Sequence, residues 1–365
     1  MKINIASPDI GEEEIRGVTD VLRSGVLASG PRVVELEQAF ARFVGTAHAI
    51  ATNSGTAALM VALQALGIGP GDEVITSPFT FIASANAILY TGAKPVFVDV
   101  QEEDFNLDPE QLEPALTPRT KAVLPIHLYG QTAEMDPVAT FCQTHNLHLV
   151  EDACQAHGAT YRGKKAGSFG VGTFSFYPTK NMTTSEGGMI TLDDKALAHT
   201  CDMIRNHGSQ KRYYHEMLGF NFRMTDIEAA IGLAQLAKLE QANEKRRANA
   251  RFYQEALQDI PGLVLPQELP DRIHAWHQYT LRVTEACTVS RDCLAEELGK
   301  RGIGTAIYYP LPLHQQVWFQ KLGNDWGRFP VAERMSREVL SVPVHPKLSQ
   351  DDVTIVAESI REICR

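Results

Sequence analysis

The sequence predicts a mostly parallel α/β sheet over the first two thirds of the chain, followed by a smaller α+β unit. Three observations predict it. Short apolar runs alternate with stretches of helical periodicity from residue 32 to about 150. The stretch Pro261 to Pro270, with three prolines, reads as a link between two parts. A chain of 365 residues also normally divides into two domains, each able to bury its own core.

Val34, Leu36, Phe40 and Phe43 fall on a helix, and Ala47 to Ala51 reads as a strand. Leu59, Ala62, Leu63 and Leu66 then repeat at helical spacing. A strand at Glu73–Thr76, a helix from about Phe81 to Tyr90 and a strand at Pro95–Val98 follow. Lys121–Ile126 and Leu147–Val150 continue the series, and because helices separate these strands, the sheet they form is parallel. Thr173–Phe176 and Gly188–Leu192 are strand-like runs either side of a polar turn. Thr225 and Glu228 form a capping-box signature, and Ile227, Ile231 and Ala234 support a helix running past residue 240. Beyond the proline-rich link, His277–Val283 reads as a strand and Arg291–Lys300 as a helix.

Composition excludes several classes. With 44% hydrophobic and 21% charged residues, the chain is neither disordered nor a coiled coil. Thirty-four Lys and Arg against 44 Asp and Glu give a net charge of −10, which repels phosphate backbones; the one basic run, Lys245-Arg246-Arg247, reads as a solvated helix face. No nucleic-acid partner is expected. Six cysteines are scattered without a C-x-x-C pair, against both a disulfide framework and a structural zinc site, and in keeping with a reducing compartment. No run approaches the roughly 20 apolar residues that span a bilayer, and the first residues are too short an apolar stretch for a signal peptide. The expectation is a cytoplasmic protein without a membrane partner.

Three motifs carry chemistry. Asn53-Ser54-Gly55-Thr56-Ala57-Ala58 lies between a strand and a helix, so first-turn N–H groups face outward beside a glycine and a hydroxyl, as an anion site requires. The same residues also read as a plain N-cap by Asn53 or Ser54. Glu151-Asp152-Ala153-Cys154-Gln155 closes an apolar strand at the carboxyl edge of the sheet, where a carboxylate could hold a cationic ring nitrogen or cap the next turn. Phe174 to Asn181 delivers Lys180 from a strand end into a polar turn. A carbonyl cofactor needs a lysine amine, an acid for its ring nitrogen and an anion cradle for its phosphate, and these appear on strand ends of one sheet.

Taken together, these motifs resemble the pyridoxal-phosphate-dependent sugar aminotransferases of the DegT/DnrJ/EryC1/StrS family, within the aspartate-aminotransferase fold. The resemblance runs from Ser24-Gly25 through Asn53–Thr56, Glu151–Gln155, Lys180, Arg205–Gly208 and Gly219–Met224 to Tyr309-Pro310-x-Pro312-x-His314. One departure is Cys154, where the family usually has alanine; a small buried thiol substitutes with little effect.

The resemblance implies a fold-type-I large domain with a mostly parallel seven-stranded sheet over residues 1–260, including an N-terminal helical segment. A small α+β domain over 261–365 completes it. It further implies pyridoxal 5′-phosphate as cofactor, with Lys180 as the Schiff-base lysine and proton shuttle. Asp152 would pair with the pyridine nitrogen and Gln155 would reach the ring hydroxyl. Gly55, Thr56 and Ser175 would bind the phosphate. Phe81 matches an aromatic lying over the ring, and also reads as a core residue. Asn221 matches a residue that crosses a homodimer interface to the neighbouring phosphate, so the active sites would be shared. Tyr309 and His314 match the region that approaches a nucleotide-sugar, and Arg223, Arg212 and Lys211 are candidate cations for its diphosphate. His207 reads as an interface residue. The pairs His145/His148 and His274/His277 lack a ligand cluster and read as structural, so no metal is expected. The implied activity transfers an amino group from an amino acid, L-glutamate by the resemblance, to a keto group of a dTDP- or UDP-linked hexose. His127–Gln131 is similar to members acting on 3-keto sugars. Two alternatives remain open: a sugar dehydratase, whose representatives carry histidine at the lysine position, and a cofactor-binding regulatory protein without turnover.

Overall fold

The computed structural model describes residues 2–324 and 326–365. Seven strands form the main sheet: β1 His48–Thr52, β2 Glu73–Thr76, β3 Lys94–Phe97, β4 Thr120–Leu124, β5 His148–Asp152, β6 Val171–Ser175 and β7 Gly188–Leu192. Their spatial order is β1-β7-β6-β5-β4-β2-β3. All pairings are parallel except those of β7, which runs antiparallel to both β1 and β6. The polar connection Phe176–Gly187 holds no helix to carry a crossover, so β7 returns reversed beside β6. Hence β1, β5 and β6 end on one edge of the sheet, and the motifs at residues 53–56, 152–155 and 175–180 converge there.

The strands are buried on both faces, as the near-continuous apolar runs require. One core packs the helices Gly55–Ala65 and Ile82–Tyr90 against the sheet. Another gathers Leu36, Phe40, Phe174 and Phe176 beneath the opposite face, with Phe40 meeting Phe174 edge-on at 4.9 Å. The capping box expected at Thr225 is present: Thr225 Oγ1 accepts from Glu228 N at 3.2 Å while Glu228 Oε2 accepts from Thr225 N at 2.7 Å. The helix it starts runs for 32 residues, Asp226–Leu257.

That helix belongs to two cores. Ala229 and Leu239 pack into the second, whereas Ala250, Tyr253 and Leu257 join a third core with the strands Tyr279–Val283 and Val339–Val342. Ile3 from the start of the chain also enters the third core. Within the proline-rich stretch, Leu263-Val264 forms a short strand paired with Val283 and Arg282. The expected strand from His277 begins only at Tyr279, because Gln278 N is drawn to the Tyr129 carbonyl and Ala275 N to that of Gly130. Among the described residues, no helix is long and apolar enough to cross a membrane.

Candidate active site

A cavity of about 480 Å³ opens at the carboxyl edge of the sheet. Its floor is built from the strand ends. Ser54 caps the helix Gly55–Ala65, its Oγ accepting from Ala57 N at 3.1 Å. Ala58 N reaches the Ser54 carbonyl, so the Gly55 and Thr56 N–H groups are left at the positive end of the helix, facing the cavity that both residues line. Ser175, at the end of β6, faces them: a Cβ built on Gly55 would lie 2.6 Å from the Ser175 Cβ. N-capping and an anion cradle therefore coexist here; the cap satisfies one donor and leaves two.

Asp152, at the end of β5, is buried, its Oδ2 accepting from Ser84 Oγ at 2.7 Å and its Oδ1 from Cys154 N at 3.2 Å. Glu151, the neighbouring acid, points to the other face of the sheet. There it takes Gly167 N, Phe169 N and Gly170 N and pairs with His127 Nε2 at 3.0 Å, a structural role. Gln155 Oε1 accepts from Tyr129 N at 2.8 Å, which turns its Nε2 toward the cavity, where it donates to the Tyr309 phenol at 3.2 Å.

Lys180 reaches the same cavity from the turn after β6. Its Nζ makes no hydrogen bond among the described residues. Burial pushes the amine below the ordinary lysine range, opposed by the nearby Asp152 carboxylate. The Cys154 thiol is held protonated by burial and by Asp152. Phe81 is the N-cap of the helix Ile82–Tyr90, not its first core residue; its extended backbone leaves the ring 56% exposed at the cavity, 6.3 Å from the Tyr309 ring.

Eight of the eleven expected site residues thus line one cavity: Gly55, Thr56, Phe81, Asp152, Gln155, Ser175, Lys180 and Tyr309. Three do not. His314 is buried 4.9 Å from the Phe329 ring with its Nε2 paired to Glu333 Oε1 at 3.1 Å, away from the cavity lining. Arg223 donates to Asn206 Oδ1 at 2.7 Å. Asn221 is exposed, its backbone bridged to Asn206. Conversely, His277, read as structural, lines the cavity, with its Nδ1 3.2 Å from Asn181 Oδ1, and Thr80, Ser84 and Glu186 line it too. A histidine two residues before a strand carries no periodicity signal, and serines in an alanine-rich helix read as filler. Among the described residues, no cluster of three metal-ligating side chains occurs.

The residues present fit pyridoxal phosphate. The Gly55–Ser175 approach makes a cradle that a Cβ would fill, and the buried amine without a partner and the buried carboxylate share the cavity with it.

The description of the DegT/DnrJ/EryC1/StrS aminotransferase family matches residues 8–361. The chain belongs to that family. Its relatives include the spore coat polysaccharide biosynthesis protein SpsC of Bacillus subtilis, 45% identical over 98% of this chain and 96% of the relative. The pleiotropic regulatory protein of Geobacillus stearothermophilus is 44% identical, over 97% and 95%. The dTDP-3-amino-3,4,6-trideoxy-alpha-D-glucose transaminase of Streptomyces venezuelae is 43% identical, over 96% and 93%. Among solved structures, S. venezuelae DesV superposes with a TM-score of 0.93 at 42% identity, covering 97% of this chain and 94% of that one. The PLP form of the putative sugar aminotransferase Spr1654 from Streptococcus pneumoniae gives 0.94 at 30% identity, covering 100% and 99%.

Proposed function

We propose that the protein is a pyridoxal-phosphate-dependent transaminase that moves an amino group from L-glutamate to the keto group of a dTDP- or UDP-linked hexose. The observation that carries this reading is the meeting of Lys180, Asp152 and the Gly55–Thr56 helix end in one cavity. When bound, the cofactor supplies an electron sink through its protonated ring.

The chain's own groups do the rest. Lys180 Nζ, its charged form disfavoured by burial, offers an amine able to join a carbonyl and then to carry a proton. Asp152 would hold the proton on a ring nitrogen, Gln155 Nε2 would donate to a ring hydroxyl, and the Gly55 and Thr56 N–H groups with Ser175 Oγ would hold the phosphate. Phe81 gives the ring a face to lie against. Lysine at position 180 separates this reading from the dehydratases, which resemblance associates with histidine there.

A homodimer with shared sites is part of the proposal. Asn221 lies outside its own chain's cavity and is exposed, next to a segment in which Tyr213 is 78% and Leu218 72% exposed. A second copy would bring Asn221 to the neighbouring phosphate and cover that segment. Light scattering that returns an active monomer refutes this part.

The relative named as a regulatory protein supports a second reading, in which the cofactor binds without turnover. Titrating the cofactor-loaded protein with glutamate decides between them. Transamination converts the visible absorbance to that of the pyridoxamine form, and a keto nucleotide-sugar restores it with a product of the aminated mass. No change on adding glutamate favours the regulator.

A further inference from the structure

Asp152 does not stand alone in the cavity wall. Its Oδ2 accepts from Ser84 Oγ at 2.7 Å, and Ser84 Oγ lies 3.0 Å from Thr80 Oγ1. Both hydroxyls are almost wholly buried and both residues line the cavity. The direction of the chain follows from chemistry. An ionised carboxylate only accepts, so Ser84 spends its single proton on Asp152, and Thr80 must donate to Ser84.

We propose that Thr80 and Ser84 are positioning residues: a directed hydroxyl relay, Thr80 to Ser84 to Asp152, that fixes the carboxylate toward the cofactor's ring nitrogen and away from the Lys180 amine. This rests on the transaminase reading above and deepens it.

Three features support the relay. Ser84 is the only serine or threonine in the helix Ile82–Tyr90, whose other buried positions are Ala85, Ala87 and Ile88. Packing alone asks for an alanine there, so the hydroxyl serves its acceptor. Second, Ser84 is held from both sides: its N–H reaches the Phe81 carbonyl at 3.2 Å in the first turn of the helix, and its hydroxyl is supported by Thr80. A donor on a helix is fixed more closely than one on a loop. Third, Asp152 and Lys180 attract each other across the cavity. With only the longer Cys154 N contact remaining, at 3.2 Å, the carboxylate would be free to turn toward the lysine amine. The Ser84 bond, charge-assisted and shorter, opposes that rotation.

The test uses the cofactor-loaded enzyme and the variants S84A, S84T and T80V, with thermal melting as a folding control. Three quantities are read: the dissociation constant for pyridoxal phosphate, the pH midpoint of the visible absorbance of the bound cofactor, and the single-turnover rate with glutamate. Loss of one hydrogen bond to a charged group predicts that S84A weakens cofactor binding about tenfold or more and moves the absorbance midpoint measurably. S84T keeps a hydroxyl and restores both. T80V acts one bond further away and gives a smaller change of the same sign, which keeps the relay testable if S84A does not fold. The proposal is overturned if S84A matches wild type in dissociation constant and midpoint. It is equally overturned if S84T is damaged as much as S84A, which would make the effect one of packing. A wild-type protein that retains no pyridoxal phosphate overturns the transaminase reading and the relay together, whereas loaded wild type with silent variants sinks the relay alone.

Discussion

Gly55 stands so close to Ser175 that a Cβ on the glycine would lie 2.6 Å from the serine's Cβ and 3.1 Å from its Oγ. The helix end and the strand end meet without room for a methyl group, which places first-turn N–H groups and a hydroxyl together where the proposed phosphate would sit. A Gly55→Ala substitution should therefore push the helix Gly55–Ala65 off β6. Overpacking of this kind costs about 1–3 kcal/mol, and the displaced donors should weaken pyridoxal phosphate and inorganic phosphate alike. Urea unfolding and equilibrium dialysis measure the two effects. Native affinity for both anions in the variant would remove the cradle from the site.

Lys180 makes no side-chain hydrogen bond among the described residues, so Lys180→Ala should fold with a melting temperature near that of wild type. It should also leave no borohydride-stable adduct on the peptide containing position 180, and lose turnover by about 10³-fold or more, in the range expected when a proton-transferring nucleophile is removed. Tryptic mass spectrometry after reduction reads the adduct directly.

The fold was largely legible because its elements repeat a strong local signal. The strands Glu73–Thr76 and Gly188–Leu192 and the helix Arg291–Lys300 lie where the sequence places them. The strand-end motifs were legible because chemistry demands an acid, an amine and a helix end at one edge of a parallel sheet. What escaped depends on contacts distant in sequence. His277 reaches the cavity only because the loop at Tyr129 and Gly130 draws in residues 275–278. Ser84 matters only because β5 places Asp152 beside it, 68 residues away. No local pattern encodes either meeting.

Arg205 Nη1 lies 2.5 Å from both Glu37 Oε1 and the Ala51 carbonyl, and its Nη2 lies 2.6 Å from Asp202 Oδ1. Glu37 Oε1 also accepts from Ala51 N at 2.8 Å, so the pair ties the end of β1 to two helices. Arg205 and Glu37 are both largely buried. Glu37→Ala leaves the guanidinium with Asp202 as its remaining carboxylate partner and the Ala51 carbonyl, and should cost about 3 kcal/mol, the lower end for breaking a buried pair. Denaturant titration gives the loss. A change below about 0.5 kcal/mol, ordinary for surface sites, would mean the clamp holds nothing.

Burial pushes His157 and His274 down to about 3, and His277 well below its usual value. For each, the folded-state pKa lies below the unfolded one, so between about pH 3 and the ordinary value near 6.5 the unfolded chain binds more protons. Stability therefore rises with pH through that window, is complete above it, and is lost as pH falls. At pH 5.5 the loss is on the order of 1 kcal/mol per histidine relative to pH 7.5. Urea midpoints at the two pH values check it. His274→Asn should reduce the difference by on the order of 1 kcal/mol, since it removes one of the depressed histidines. A flat profile between pH 5.5 and 7.5 would show that these rings titrate normally.

The two histidines at positions 277 and 314 exchange the places that sequence suggests for them, and their variants should behave accordingly. Asn181 donates its amide to Asn243 Oδ1 and to the Ala275 carbonyl, each at 2.8 Å, which leaves Asn181 Oδ1 as an acceptor. His277 Nδ1, 3.2 Å away, must then carry the proton, and Nε2 is left as an acceptor on a ring that burial and the neighbouring Lys180 and Arg246 keep neutral. Such a neutral ring, in the cavity wall that Lys180 also lines, can accept a hydrogen bond without adding charge. His277→Ala removes that acceptor from the cavity wall and should lower kcat/KM by up to about tenfold, the worth of one ordinary hydrogen bond to a molecule bound there. Because the ring stays neutral, the wild-type pH–rate profile should show no limb near 6.5 that disappears in the variant. His314, packed on Phe329 and bonded to Glu333, has no route to the cavity lining. His314→Ala should lower the melting temperature while leaving KM for the keto nucleotide-sugar within about twofold, as expected for a residue outside the binding surface. A KM for the sugar that rises steeply in His314→Ala while the melting temperature holds would return His314 to the substrate.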